Sequence, residues 1–436
     1  VIGAIADDVT GATDVAVALH RHGLRTLLFF GTPLSFGTPD AEPDLPPHDA
    51  VVIALKTRTA PREQAVERSL AALDWLRAHG VGQVYFKYCS TFDSTPEGNI
   101  GPVLDALADA LDAPLVPMTP SSPEHGRTQY LGYLFVGERL LSESHMRDHP
   151  LTPMTDSYLP RVLEAQSAHR AGVVPLETVR GGPAAIAKRL AHLRSEGVRY
   201  ALLDAVEDGD LASAGQALDD LASAGQVLGG LRLVAGAAGL AAGLALAHEV
   251  SKIHEVAGDP PARVPAGRAA VLAGSCSART LEQVRAVIEH GRPAHRLDAL
   301  AEPDPDPEAL AANALTWYDA QRPEDGAPLI YSSLPPAELH EVQQALGRER
   351  SAELLESALG RIAAGLVERG VTRLVAAGGE TSGAVVRALG VTGGVIGPEA
   401  ARGVPWIFTP SLTLLLKSGN FGEPGLLLDA TRTETP

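Results

Sequence analysis

The chain is expected to be an α/β protein with two αβ domains, each a mostly parallel sheet covered by helices. Three observations predict this. Short apolar runs alternate with longer amphipathic ones, the pattern of strands buried on both faces and joined by crossover helices. The alternation breaks at Glu249–Gly267, which contains GDPPARVPAG, and then restarts. The length, 436 residues, suits two or three domains at roughly 150 residues each. The expected boundaries are therefore 1–248, a linker over 249–267, and 268–436.

The elements follow in order. Val1–Ala6 is a buried strand, Gly11–His22 a helix, Arg25–Phe30 a second strand and Val51–Leu55 a third. Pro61–His79 is a helix, with Pro at its first turn and Gly80 just past its end as start and stop signals. Gln83–Lys87 is a strand, Gly98–Asp112 a helix and Pro114–Met118 a strand; Gly172–Pro175, Tyr200–Leu203 and Leu231–Ala235 are strands set between helical stretches. The second half restarts with a strand at Ala269–Ala273 and a helix from Arg279, followed by strands at Leu329–Tyr331, Arg373–Ala376 and Trp406–Phe408. Gly31–His48, rich in Pro and Asp, reads as a surface loop. LASAGQ occurs twice, at Leu211–Gln216 and Leu221–Gln226, a local duplication in an alanine-rich helical region and not a solenoid.

Composition narrows the function. Apolar residues are 45% and charged residues 20%, ordinary for a globular protein. The 53 acidic and 36 basic side chains leave a net charge of −17. That field opposes nucleic acid and anionic membranes, and 4% aromatics is too few for base stacking. A small anionic ligand remains open, because it needs only a local cation cluster. No apolar run reaches membrane-spanning length. The two cysteines, Cys89 and Cys276, stand far apart without CxxC or His companions, which suits a reducing, cytoplasmic compartment and no structural zinc. Of the basic residues 31 are arginine and five lysine; the lysines either mark positions where a compact ammonium is wanted or fall where they do without positional meaning.

Four kinds of stretch carry chemistry. Val1–Asp14 (VIGAIADDVTGATD) places Asp7 and Asp8 at the carboxyl end of the first strand, where they can take a hydroxyl proton or hold Mg²⁺; Asp8 or Thr10 could equally cap the helix. Thr10-Gly11 offers backbone donors to an anion. In Ala54–Thr59 (ALKTRT), Lys56 and Arg58 point the same way at a strand end and could bridge a carboxylate or phosphate. After Lys87 comes a hydroxyl-rich loop with Cys89, Ser90, Thr91, Asp93, Ser94 and Thr95, suited to a polyhydroxylated acid. Cys89 has no histidine nearby and reads as packing. In the second half three Gly-rich turns follow strands: Gly274–Ser277, Gly378–Thr381 and Lys417–Gly425. Glycines let backbone approach phosphates, so three such turns suggest a nucleotide site. GxxxxGKS/T is missing, which removes P-loop proteins, and the GxGxxG, HRD and DFG sets of dinucleotide binders and protein kinases are missing too.

Together the stretches IADDVTGATD, LKTRT, YFKYCSTFDSTPEGNIGPV, HPLTPMTDSYLPRVLEAQS (His149–Ser167), GSCS, PLIYSS, AGGETSG, IGPEAARGVPW and LKSGNFG resemble the four-carbon acid sugar kinase family, in order and over nearly the whole chain. KYCSTFDST is most similar to the branch acting on 3-oxo-tetronates; the D-threonate and D-erythronate kinases have text closer to K-IDSTLRGN there. The resemblance implies an N-terminal acid-sugar domain and a C-terminal ATP domain meeting across a cleft that holds the active site. It implies transfer of the ATP γ-phosphoryl group to the terminal hydroxyl, with Mg²⁺ bridging phosphates. It carries ATP contacts to Ser275, Ser277, Gly378, Gly379, Glu380, Thr381 and Gly419, and substrate contacts to Asp7, Asp8, Lys56, Arg58 and the Lys87–Asp93 loop with Lys87, Cys89, Ser90 and Thr91; Thr10 joins the expected substrate contacts through its backbone donors. Asp8 is the expected acceptor base and Asp93 the second choice; Lys417 could offset phosphate charge. One departure is Gly236–Ala241 (GAAGLA), where a serine-containing GGSGLA is expected. A D-threonate or D-erythronate 4-kinase, a sugar-acid binding protein and a dehydrogenase are the alternatives, and self-association into a homo-oligomer stays open.

Overall fold

The computed structural model describes residues 1–31, 45–92, 95–149, 152–223, 231–249, 264–301, 304–322 and 326–432. Most of the expected linker, the body of the Gly31–His48 loop, the end of the second LASAGQ copy, and Asp93 and Ser94 lie outside the described residues. The chain divides into two compact units, Val1–Gly258 and Asp259–Pro436.

Apolar five-residue runs make the sheet of the first unit. Its strands are β1 (Ile2–Ala6), β2 (Thr26–Phe30), β3 (Ala50–Ala54), β4 (Gln83–Lys87), β5 (Val116–Thr119), β9 (Arg170–Val174), β10 (Val198–Leu203) and β11 (Leu233–Gly236), with β6 (Arg127–Tyr130), β7 (Tyr133–Val136) and β8 (Arg139–Leu140) forming a separate antiparallel sheet. The order is β2-β3-β1-β4-β11-β5-β10-β9, and every recorded pair is parallel. β1, β2 and β3 are buried at every position, as strands covered on both faces must be. Ala6 pairs with Ala54 and with Lys87, and Gly236 with Lys87, so the loops after β1, β3, β4 and β11 leave one edge of the sheet. The chain runs from β1 outward to β2, back to β3, and then crosses to β4 on the other side. This reversal beside β1 is the switch point where open α/β sheets bind ligands.

The second unit repeats the plan. β12 (Ala269–Ala273), β13 (Ala294–Arg296), β14 (Leu329–Tyr331), β15 (Arg373–Ala377), β16 (Gly393–Ala401), β17 (Val404–Phe408) and β18 (Thr413–Lys417) run in the order β13-β14-β12-β15-β18-β17-β16. Its first strand again lies between its third and fourth. β12 to β15 and β18 are parallel, but β17 is antiparallel to both β18 and β16, a meander that strand–helix alternation did not announce. The core includes Val271, Val375, Trp406 and Leu415.

The first helix begins at Val9, two residues before the sequence-based start, because the Asp8 side chain accepts from Gly11 N–H and draws Val9 and Thr10 into the first turn. The first LASAGQ copy has a packing task. Gly215, in helix Asp208–Ser223, and Gly243, in helix Ala238–Glu249, lie where the two backbones touch. A Cβ on Gly215 would lie under 3.0 Å from the Gly243 carbonyl, and one on Gly243 under 3.0 Å from the Leu211 carbonyl. Backbone cannot swing aside as a side chain can. Gly215→Val is therefore expected to lower the unfolding free energy by about 3 kcal/mol, read by urea denaturation; a variant as stable as the parent would show that these helices can part without loss.

Candidate active site

In the first unit the acceptor candidates gather at the switch point. Asp7 directly follows β1, is 5% exposed, and receives both arms of Arg58: Nε donates to Oδ2 at 2.9 Å and Nη2 to Oδ1 at 2.8 Å. The same Nη2 donates to Asp8 Oδ1 at 2.8 Å. Backbone repeats the bond, since Thr57 and Arg58 N–H donate to the Asp7 carbonyl. Burial pushes the Asp7 carboxyl upward against the pull of Arg58. Arg58, although burial opposes its charge, is held well above its usual value by Asp7 and its other anionic neighbours. Arg58 is thus occupied by two carboxylates, while Lys56 is exposed; the structure gives these two cations different surroundings.

Asp8 carries two roles at once. Its Oδ1 caps Gly11 N–H at 2.8 Å and takes Arg58, and neither contact uses Oδ2. Thr10 sits in the first helical turn, its carbonyl accepting from the Thr13 hydroxyl. Lys87, the last residue of β4, is 3% exposed and donates from Nζ to the Tyr88 carbonyl at 2.7 Å. A Cβ on Gly11 would lie under 3.0 Å from both Asp8 Oδ1 and Lys87 Nζ, so glycine at 11 is what lets the carboxylate and the ammonium approach. Beyond Lys87, Cys89 Sγ meets Thr91 Oγ1 at 3.0 Å and Phe92 N–H donates to the Cys89 carbonyl, with Ser90 half-buried between. Phe92 holds φ at 52°, uncommon for a bulky side chain, and its ring packs edge-on against Tyr88.

Two residues here escaped the sequence reading. Asn99 Nδ2 donates to the carbonyls of Thr57 and Ala60 at 2.8 Å each, tying the loop after β4 to the loop after β3. It stands where a helix cap is expected, yet its side chain makes no cap, so the position alone misleads. Asp14 has one buried oxygen without a partner; burial raises its carboxyl to about 7, with Lys87 pulling it down.

In the second unit the Gly turns converge at the ends of β12, β15 and β18. Gly274 and Ser275 N–H both donate to the Ala377 carbonyl, and Gly378 N–H to that of Lys417. Gly378 has φ +130°, and a Cβ there would press on Ser275 and Thr381. A Cβ on Gly419 would collide with the Ser275 and Ser277 hydroxyls. Ser277 caps helix Ala278–Glu289, and its hydroxyl also donates to the Gly419 carbonyl at 2.6 Å. Gly379 and Glu380 open helix Gly379–Ala388 and are exposed, with Thr381 buried behind them. Ser275, Ser277, Gly378, Thr381 and Gly419 thus form one cluster beside two helix starts; the N–H groups of Gly274, Ser275 and Gly378 are spent on carbonyls, so it is the first turns of the helices Ala278–Glu289 and Gly379–Ala388 that present N–H groups to an anion. Thr280 and Gln283 were missed: Thr280 Oγ1 donates to the Gly419 carbonyl at 2.8 Å, and Gln283 Nε2 holds the carbonyls of Phe421 and Glu423. Lys417, 1% exposed, donates to Thr280 Oγ1 at 3.0 Å and to the Gly419 carbonyl at 3.1 Å.

Family models match the two halves: a sugar-binding N-terminal domain over residues 2–244 and a nucleotide-binding C-terminal domain over residues 270–427. Fold and site define an α/β protein that pairs a sugar-binding unit with a nucleotide-binding one. The chain belongs to the four-carbon acid sugar kinase family. It is 48% identical to a 3-oxo-tetronate kinase of Cupriavidus necator, covering 99% of this chain and 96% of that one, and 44% identical to one of Salmonella typhimurium, covering 99% and 98%. A crystal structure from Salmonella typhimurium LT2, provisionally described as a tRNA synthase, matches at 43% identity and TM-score 0.87 over 98% of both chains. One from Haemophilus influenzae matches at 39% and 0.81, again over 98% of both. No helix among the described residues is long and apolar enough to cross a membrane.

Burial lowers the Lys417 ammonium from 10.5 to about 8, with Arg279 adding repulsion. The unfolded chain then binds more protons than the folded one between these values, so this group makes stability rise with pH from about 8 to 10.5. Lys417→Met should remove that rise, raise the melting temperature at pH 7, and weaken ATP binding by about tenfold or more. The Gly419 carbonyl keeps its two hydroxyl donors in the variant. Melting curves across pH, with ATP titration, check all three.

Proposed function

We propose that the chain transfers the γ-phosphoryl group of ATP to the terminal 4-hydroxyl of a 3-oxo-tetronate, giving the 4-phosphate and ADP. The observation that carries the reading is the end-to-end identity of 44–48% with kinases named for that substrate. The two glycine- and carboxylate-lined switch points support it, one suited to a hydroxy acid and one to phosphates.

The hydroxyl oxygen attacks the γ-phosphorus, the bond to the β–γ bridging oxygen breaks, and the hydroxyl proton passes to Asp8. Asp8 suits this role because its Oδ1 is fixed by Arg58 and Gly11 while Oδ2 is not engaged by either. Asp7, both of whose oxygens are taken by Arg58, is a positioning residue. Lys87 offers positive charge to the acid substrate, with Lys56, Cys89, Ser90 and Thr91 along the same loops. Ser275, Ser277, Gly378, Gly379, Glu380, Thr381 and Gly419 receive the ATP phosphates, with Lys417 behind them. Among the described residues no three His, Cys, Asp or Glu side chains group to hold a metal. Mg²⁺ would be held by the phosphates of the nucleotide, where it would offset their charge during transfer.

A coupled ADP-release assay with 3-oxo-tetronate, D-threonate and D-erythronate tests the substrate. The highest kcat/KM is expected for 3-oxo-tetronate; preference for either alternative overturns the substrate but leaves phosphoryl transfer standing. Asp8→Asn should lower kcat by about 10²–10⁴-fold at saturating sugar and Mg²⁺, with little change in melting temperature, because asparagine can still cap the helix. Activity within a few-fold of the parent would reduce Asp8 to a cap and move the base to Asp93 or Asp14.

A further inference from the structure

The second unit has a cavity of about 760 Å³ that neither switch point uses. It opens at the amino-terminal ends of β12, β14 and β15, whereas the Gly turns leave their carboxyl ends. Five-residue strands hold the two regions roughly 16 Å apart. The volume is that of a small-molecule site.

Its lining is unusual for a chain of net charge −17. Arg268, Arg292, Arg322, Arg373 and Arg432 face it from five separate segments, and none of the described lining residues is acidic. Arg268 donates Nη1 to the Arg369 carbonyl at 3.0 Å and lies over the Tyr318 ring, 5.6 Å from its centroid. Arg432 approaches Asp429 only at 3.7 Å. Arg373, the first residue of β15, is 1% exposed; its Nη2 reaches the Thr431 carbonyl at a long 3.3 Å and its Nε has no partner. A buried guanidinium with an open Nε and no recorded carboxylate is costly, and burial pulls its proton affinity down. A bound anion would offset that cost. A single carboxylate is planar and satisfied by one fork; guanidinium groups converging from several directions match the spread oxygens of a phosphate. The space left over, walled by the Tyr318 ring, accommodates the body of a small molecule.

We propose that this cavity is a second anion site, distinct from the nucleotide turns, that binds a small phosphate-bearing metabolite. The full chain saturated with adenylyl imidodiphosphate, so that the Gly turns are filled, is titrated calorimetrically with pyrophosphate, 3-phosphoglycerate and tricarballylate. Pyrophosphate or 3-phosphoglycerate should still bind at one equivalent, the first marking an inorganic ligand and the second a phosphate ester, with tricarballylate at least tenfold weaker. Arg373→Met should weaken that binding at least tenfold while changing nucleotide affinity by less than twofold. Arg268→Gln combined with Arg432→Gln, both nearer the surface, should do the same and covers the case in which Arg373→Met fails to fold. Loss of all phosphate binding once the nucleotide turns are filled, equal binding of tricarballylate, or unchanged affinity in the folded variants would overturn the proposal.

Discussion

The strand ends around β1 depend on one guanidinium. Arg58 bridges Asp7 and Asp8, adjacent carboxylates that would otherwise repel each other at the end of a buried strand. Because Arg58 comes from the loop after β3, the bridge also joins the ends of neighbouring strands, and Asn99 fastens the same loop from the other side. The first helix starts where it does because Asp8, fixed by Arg58, caps it. Without this bridge, Asp7 would be a buried charge with no countercharge bonded to it, and Asp8 would lose one of the two contacts that orient it.

The two units share a strand order and differ in what they place at its reversal. In the first, side-chain carboxylates and an arginine fill the turn beside β1. In the second, glycines and serines fill the equivalent turns beside β12 and β15, where a Cβ at Gly274, Gly378 or Gly419 would crowd a neighbouring hydroxyl. Carboxylates can take a proton from a hydroxyl but repel phosphates; bare backbone approaches phosphates but takes no proton. One topology therefore presents two different chemistries, and a few residues at each strand end make the difference.

How much of this was legible depended on how far each residue's partner lay in sequence. The buried strands were readable because burial on both faces leaves an apolar run, as in Ala50–Ala54. Strand β13 was not, because Ala294–Arg296 is three residues long and only partly buried. The β16–β18 meander was read only as a strand and a Gly loop, since Gly393–Ala401 is mostly half-buried and shows no apolar run. The carboxylates, serines and glycines that the structure brings together at the two sets of strand ends were named from their turns. Asn99, Thr280 and Gln283 were not, because their work is to hold carbonyls about 40 or 140 positions away. Ala238 stands where the expected serine would be, and the Gly239 N–H beside it donates to the Ser122 hydroxyl at 3.2 Å, a contact from 117 positions away that leaves no local trace.

The five lysines show the same limit and its resolution. In an arginine-rich chain they could be read as places for a compact ammonium or as placed without meaning, and which of them mattered was not visible. Two are the last residues of parallel strands, Lys87 of β4 and Lys417 of β18, and both are nearly fully buried. Their recorded hydrogen bonds go to carbonyls and a hydroxyl and not to a carboxylate. A guanidinium in either place would have to fit a planar fork with five N–H groups beneath a tight turn, whereas an ammonium needs only three donors about one point. An ammonium held by neutral oxygens keeps its net charge for something else. At Lys417 the cost is visible as a proton affinity lowered by burial, and a buried charge with no countercharge beside Gly turns is what a phosphate would neutralise. Geometry thus accounts for two of the five lysines, Lys87 and Lys417: beneath a tight turn at a strand end the smaller cation is the one that fits.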